Sequence, residues 1–261
     1  MLTTIINVEL EKILRKKLAS GMFLSVLFFE AAAAFVRYHL NTQGPSAPTG
    51  FQLSAFSIKT ALQLFSLVCL IISAISVSEE TGSGTIKHLL VRNVRRSHLI
   101  LAKFISLSII GITMVLLVNS LGLILGEIFR GLSDLKEAEY LVYSARKLFL
   151  NFGAGMMLTL PPVIALTAFG IFISTIVRES GWAVGCSIIT LFLFQLLSQF
   201  DEIQHLVFTH YFFLPIHNIV KLTEGIPINW KADSAMIIAG SLIYAAIFVG
   251  LSMVSLNRKD L

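Results

Sequence analysis

Long uncharged stretches of apolar residues recur along the chain, and short segments that collect the charged residues separate them. A helix needs about 20 apolar residues to cross the hydrocarbon core of a bilayer. The stretches predict six membrane-spanning helices, at about 19–40, 55–78, 99–126, 148–177, 181–200 and 234–256. Barrel strands would instead alternate apolar and polar residues over about 10 positions. The pattern therefore predicts an all-α polytopic membrane protein in which residues 1–261 form one transmembrane domain.

The segments between the spans have patterns of their own. Residues 1–18 place apolar residues on one helical face and charges on the other, which predicts an amphipathic interfacial helix, with a frayed tail as the alternative. Residues 79–98 mix basic residues with leucines and predict a second surface helix, with a loop along the membrane whose basic residues satisfy the positive-inside rule as the alternative. Residues 127–147 indicate a short helix. Residues 201–233 include an uncharged stretch that is marginal for crossing, and they indicate an extracellular segment that is re-entrant or interfacial.

Composition and charge sharpen this interpretation. The chain is 56% hydrophobic and 13% charged, whereas a soluble domain carries about 25% charged residues. With six spans, both termini lie on the same side of the membrane. The segments on that side hold most of the lysines and arginines, so the positive-inside rule predicts that both termini are cytoplasmic.

A single carboxylate interrupts the first predicted span. Glu30 falls near mid-bilayer in the stretch FLSVLFFEAAAAFVRYHL. A charge there costs at least about 2.5–3.5 kcal/mol unless it is paired, protonated or facing water. Glu30 is therefore either a carboxylate of the substrate pathway or a buried, protonated or paired group that holds helices together.

A pair of prolines marks the fourth predicted span. Pro161 and Pro162 together remove two backbone hydrogen-bond donors from the helix that contains them. Such a pair is expected to kink or break the span at this point.

The segment EETGSGTIKHLLVRNVRRSHLILAK, residues 79–103, superficially looks like a phosphate-binding loop. A P-loop has the pattern G-x-x-x-x-G-K-[ST] between a strand and a helix. Here Gly82 and Gly84 are only two positions apart, and His88 follows Lys87, so no hydroxyl stands in the magnesium position. The sequence likewise shows no catalytic pair of membrane aspartates and no H-E-x-x-H metal motif. We therefore expect neither nucleotide binding, nor a metal, nor an enzyme activity in this chain.

The same segment resembles the cytoplasmic signature of ABC type-2 permeases, the membrane subunits of ATP-driven transporters. The matching residues are Glu79, Glu80, Gly84, Thr85, Leu89, Leu90, Arg96 and Lys103. In that family the segment between spans two and three forms the coupling helix, which docks into a groove of a separate ATPase subunit. The resemblance implies a coupling site made of Glu79, Glu80, Gly84, Thr85, Ile86, Leu89, Leu90, Arg92, Arg95 and Arg96.

The resemblance also implies the partners. Two ATPase subunits would carry the ATP and magnesium, a second permease copy (a homodimer) or a related permease would complete the pathway, and lipid would surround it. No nucleic acid and no cofactor of this chain's own are expected. The expected location is the plasma membrane of a bacterium.

The expected cargo follows from one detail of the signature. Gly-Thr-Ile-Lys followed by Leu-Leu is most similar to permeases that export peptides or give immunity to bacteriocins and peptide antibiotics. This favours an amphipathic peptide as cargo. The alternatives are a drug, a lipid-linked glycan, or a membrane scaffold that transports nothing.

The sequence leaves the role of the paired carboxylates open. Glu79 and Glu80 could bond the N-terminus of the coupling helix. They could instead form salt bridges with the basic N-terminal helix of the same chain.

Overall fold

A computed structural model of the chain describes residues 2–40, 48–84, 96–137 and 140–257. Nine α-helices lie in these ranges. They are α1 (Leu2–Arg15), α2 (Lys17–Leu40), α3 (Gly50–Gly82), α4 (Arg96–Arg130), α5 (Ala145–Leu158), α6 (Leu160–Ile176), α7 (Ser180–Leu197), α8 (Phe208–Thr223) and α9 (Trp230–Asn257). Two short strands, β1 (Leu135–Glu137) and β2 (Tyr140–Tyr143), and a 3-10 turn at Gln204–Leu206 complete the elements of the described residues.

Six stretches of the described chain are long and apolar enough to cross a membrane, as the sequence predicted. They are α2, α3, α4, α5 together with α6, α7 and α9. Successive spans run in opposite directions. We call the end that holds the N-termini of α2, α4 and α7 the terminal end of the bundle, and the opposite end the far end.

The proline pair breaks its span, which confirms the expectation from the sequence. Helix α5 ends at Leu158, Thr159 forms a turn, and α6 begins at Leu160 with both prolines in its first turn. In the first turn of a helix the missing N–H groups leave no intrahelical bond unmade. The prolines therefore set where α6 begins.

The prediction of a short helix within residues 127–147 is wrong. Strands β1 and β2 form an antiparallel pair there, with Leu135 opposite Tyr143. Strand β2 has the sequence Tyr-Leu-Val-Tyr, and aromatic and β-branched residues favour extended backbone. Helix α5 does not begin until Ala145.

The segment before the last span contains α8, which is not among the candidate spans of the described residues. Its apolar face is buried, and Phe212 stacks on Phe65 of α3 with 6.5 Å between ring centroids. Pro215 lies inside the helix. A non-crossing segment was expected here, and the structure builds it as a single amphipathic helix packed against the bundle.

Helix α3 packs closely against α6 near the terminal end. A Cβ placed on Gly170 would lie 2.4 Å from Cβ of Ser73, so only glycine permits this approach. One turn further on, Oγ of Ser174 accepts hydrogen bonds from the backbone N–H groups of Val77 (2.9 Å) and Ser78 (2.8 Å). Small residues and hydroxyls are the groups that join helices inside membranes. These contacts fix the C-terminal end of α3, which also carries Glu79 and Glu80.

Candidate coupling site at the terminal end

Helix α1 packs its apolar face against the terminal end of the bundle. Ile13 is buried in a cluster that includes Val77 of α3 and Ile100 of α4. Oγ of Ser106 in α4 donates a hydrogen bond to the carbonyl oxygen of Ile6 at 3.1 Å. The N-terminal segment is therefore an ordered amphipathic helix, as predicted, and the frayed-tail alternative is wrong.

A buried cluster of charges joins α1, α3 and α4. Nζ of Lys103 lies 2.8 Å from Oε1 of Glu80 and 3.0 Å from Oε2 of Glu9. The Lys103 side chain is 2% exposed, and those of Glu80 and Glu9 are 5% and 9% exposed. Lys12 also pairs with Glu80. Each of three helices therefore contributes at least one charge to a site that excludes water.

A second ion pair lies at the edge of this cluster. Lys16, between α1 and α2, pairs with the exposed carboxylate of Glu79. Burial of the Lys12 ammonium acts to lower its pKa, but the hydrogen bond and negative charge of Glu80 outweigh this effect, so the pKa of Lys12 lies above its ordinary value. Lys12 is therefore protonated at any physiological pH.

The contacts answer the question that the sequence left open about the two carboxylates. Glu79 and Glu80 belong to the last turns of α3, not to a separate surface helix that begins at residue 79. Both pair with basic residues at the N-terminal end of the same chain. Buried ion pairs contribute little net stability, but removal of one partner leaves an uncompensated charge, and this is strongly destabilising. The cluster therefore fixes the position of α1 on α3 and α4.

A cavity of about 300 Å³ opens beside the cluster, between α1, α3 and α4. Charged groups, including Lys12, Lys16 and Glu79, line one part of it. Apolar side chains, among them Ile72 and Leu107, line the rest. A pocket with one charged and one apolar part suits an amphipathic group at a membrane interface.

Six residues of the predicted coupling site lie outside the described residues. They are Thr85, Ile86, Leu89, Leu90, Arg92 and Arg95. The structure describes the two ends of their segment. Gly84 has φ +71°, a backbone conformation that glycine adopts without strain, and it ends the turn after α3. Arg96 begins α4, and its guanidinium donates to the carbonyl oxygens of Leu256 (3.1 Å) and Asn257 (3.3 Å) at the end of α9.

Glu30 lies apart from this site, on the face of α2 that packs against α3 and α4. Its side chain is fully buried. Neither carboxyl oxygen finds a hydrogen-bond partner among the described residues. A Cβ placed on Gly122 of α4 would lie 2.8 Å from Oε1 of Glu30 and 2.3 Å from Cγ1 of Ile58. The absence of a side chain at position 122 provides the space that the carboxyl group occupies.

Three histidines, His205, His210 and His217, lie in α8 or in the 3-10 turn before it. In the described ranges no three His, Cys, Asp or Glu side chains come together as a metal would require. The rings of His205 and His210 meet edge to face, with 5.5 Å between their centroids. Burial lowers the pKa of His210, and the nearby His205 and His217 lower it further, while Asp233 acts in the opposite direction.

The sequence offered the basic N-terminal helix as a partner of Glu79 and Glu80 but did not single out Glu9, Lys12 and Lys16. The available signal was the coincidence of opposite charges in two segments that six spans bring to the same side of the membrane. Lys103 was matched to the permease signature, but its contact with α1 could not be inferred from the resemblance.

The fold places this chain among the helical proteins embedded in a membrane. The model of the family described as "Protein of unknown function (DUF2705)" matches residues 18–261, and the chain belongs to that family. The match covers all six candidate spans except the first residue of α2. No curated protein matches the chain.

Proposed function

We propose that this chain is the permease subunit of an ATP-driven ABC exporter that moves an amphipathic peptide out of the cell. The observation that carries the proposal is the buried cluster of Lys103, Glu80 and Glu9. Two of these residues, Glu80 and Lys103, belong to the signature that resembles the type-2 permeases. They flank residues 85–95, the segment that would dock on the ATPase.

The cluster suits the transmission of movement. A force applied to residues 85–95 reaches the end of α3 through Gly84 and the start of α4 through Arg96. Glu80 and Lys103 lock these two helix ends together, and Glu9 attaches α1 to both. Separation of any of the three would expose a buried, unpaired charge. We therefore expect α1, α3 and α4 to move as one unit when the ATPase subunits close.

The chemistry of the proposed transporter lies outside this chain. ATP and magnesium would bind to the two ATPase subunits on the cytoplasmic side, where both termini would lie. A second copy of the permease would enclose the pathway within the plasma membrane. Glu30 is the residue that we assign to the pathway, because an intramembrane ionisable residue is a functional candidate by default.

Co-purification with the ATPase tests the proposal. The tagged permease, extracted in mild detergent from its native host, should retain an ATPase subunit that mass spectrometry identifies by its own P-loop sequence. Leu89→Asp and Leu90→Asp should each abolish this association, because a charge would enter an apolar docking contact. Leu141→Asp is the matched control, since Leu141 is exposed at the far end. Retention of the ATPase by both variants would contradict our placement of the docking contact.

Transport assays distinguish the cargo classes. In proteoliposomes that contain the permease and its ATPase, an amphipathic peptide should stimulate ATP hydrolysis and should accumulate inside inverted vesicles. A hydrophobic drug and a lipid-linked glycan are the comparison substrates. Stimulation by either of these, without any by peptides, would replace the proposed cargo. If no ATPase associates with the chain, it acts instead as a membrane scaffold.

A further inference from the structure

A second cavity lies at the far end of the bundle, between α2, α3 and α8. Its volume is about 380 Å³. Two cationic side chains line it, Arg37 from α2 and Lys59 from α3. Glu224, which also lines it, is exposed to solvent at the end of α8. The two cations are half-buried, so they lie deeper than the carboxylate.

Among the described residues, neither cation forms an ion pair. Nε of Arg37 is enclosed and has no hydrogen-bond acceptor among the described residues. The guanidinium lies over the ring of Phe56, 4.7 Å from its centroid, which fixes its orientation. Lys59 makes no ion pair and no hydrogen bond within the described ranges. Two positive charges therefore share one cavity, and no described carboxylate forms an ion pair with either.

Two uncharged polar side chains of the cavity, Gln52 and Thr223, make hydrogen bonds within the protein. Nε2 of Gln52 donates to the carbonyl oxygen of Thr223 at 2.9 Å, and Oε1 of Gln52 accepts from the backbone of Thr49 at 2.9 Å. The hydroxyl of Thr223 donates to the carbonyl oxygen of Val220 at 2.7 Å. Among the described residues, the charged hydrogen-bond donors that line the cavity are those of Arg37 and Lys59, and charged donors of this kind bind anions.

The depth of Lys59 within the bundle also favours the binding of an anion. It lies nine residues after Gly50, the first residue of α3, which places it about 13.5 Å along the helix axis from the far end. Cationic side chains at this depth usually pair with opposite charges or backbone carbonyls, or they line a water-filled cavity. Arg37 lies near the last turn of α2, closer to the surface. An anionic group in the cavity would therefore contact Lys59 on its deeper side and Arg37 on the side nearer the surface.

We propose that this cavity is a binding site for a phosphate group, supplied either by the headgroup of an anionic phospholipid or by a soluble phosphate compound. A planar guanidinium matches two phosphate oxygens at once, and an ammonium adds a point charge to a third. Ala55, Phe56 and Val220 provide apolar walls that suit the glycerol and upper acyl carbons of a lipid. The site is distinct from the coupling site and does not depend on the export function.

Ligand-induced stabilisation tests this site with the full-length protein in neutral detergent. Thermal unfolding is followed with three probes: short-chain phosphatidylglycerol, inorganic phosphate, and diacylglycerol of the same chain length, each at constant ionic strength set with chloride. A ligand that binds the folded state and not the unfolded state raises Tm, and the rise grows with the ratio of its concentration to its Kd. We expect phosphatidylglycerol to raise Tm and diacylglycerol to leave it unchanged. An equal response to inorganic phosphate would identify a free phosphate site, and no response to it would identify a lipid site.

Variants locate the response. Arg37→Gln and Lys59→Gln should each weaken binding by about tenfold or more, because each removes a charge-assisted hydrogen bond. Arg146→Gln and Lys147→Gln are matched controls, since both residues are exposed at the same end, and they should bind like the wild type. A Tm rise that persists in both cavity variants, or one that diacylglycerol reproduces, would overturn the proposal.

A measurement on the wild type covers the case in which a cavity variant does not fold. Phosphatidylglycerol should slow the reaction of Lys59 with an amine reagent, as quantified by mass spectrometry. Lys147 in the same sample is the internal reference and should react at an unchanged rate. Equal rates at Lys59 with and without the lipid would contradict binding at this cavity.

Discussion

Glu80 and Glu30 are both buried carboxylates on packed helices, yet they have opposite surroundings. Glu80 contacts the ammonium groups of Lys103 and Lys12 at the terminal end. Glu30 lies in the middle of α2 with both oxygens unbonded among the described residues. Its neighbours are Ile58 and the bare backbone at Gly122.

This difference indicates that Glu80 has a structural role, whereas the Glu30 carboxyl is available for a role in function. The ammonium groups beside Glu80 stabilise its ionised form, and any change there leaves another charge unpaired. Burial without a counter-charge disfavours an ionised carboxyl. Among the described residues, no cation forms an ion pair with Glu30. Changes at Glu80 and Lys103 should therefore affect stability, whereas changes at Glu30 should affect transport.

Loss of Lys103 should give the largest effect. Lys103→Met leaves the buried carboxylate of Glu9 uncompensated and Glu80 with Lys12 as its remaining partner, and we expect the free energy of unfolding to fall by about 3–5 kcal/mol. Lys147→Met is the control, because that lysine is exposed at the far end. Denaturant unfolding in detergent measures both. The triple variant Glu9→Leu, Glu80→Leu, Lys103→Met should recover part of the lost free energy of unfolding. If the triple variant is no more stable than Lys103→Met, the cluster acts through something other than charge pairing.

An added methyl group at position 122 should give an intermediate effect. Gly122→Ala places a Cβ in contact with the Glu30 carboxyl and 2.3 Å from Cγ1 of Ile58, and such overpacking destabilises by about 1–3 kcal/mol. A Cβ added at Gly250 in α9 would meet no atom within 4 Å. Gly250→Ala should therefore stabilise the helix by up to about 1 kcal/mol. Thermal unfolding compares the two. If Gly122→Ala is as stable as Gly250→Ala, the three helices do not approach as closely as described.

Replacement of Glu30 by glutamine should have the smallest effect on stability. Glu30→Gln should change the free energy of unfolding by less than about 1 kcal/mol, because an amide and a neutral carboxyl have nearly the same size and polarity. The same assays should show full assembly with the ATPase and reduced export. Glu80→Gln should give the reverse, a protein that is clearly less stable. Normal export by Glu30→Gln would remove this residue from the pathway.

Local sequence patterns predicted the spans but not every element between them. Apolar length alone determines whether a segment can cross a membrane, and the proline pair marks a break wherever the helix lies. The paired strands β1 and β2 were missed, because leucines and tyrosines among polar residues fit a short helix and a strand equally well. Only pairing between Leu135 and Tyr143 distinguishes the two.

The sequence by itself determined the class of protein, the number of spans, the amphipathic N-terminal helix and the break at the proline pair. Each of these depends on the polarity or backbone chemistry of neighbouring residues. The tertiary structure decided which charges meet. Glu9, Glu80 and Lys103 are far apart in the chain, and only the packing of α1 on α3 and α4 brings them together. It also decided that Glu30 has no partner among the described residues and that Arg37 and Lys59 share one cavity.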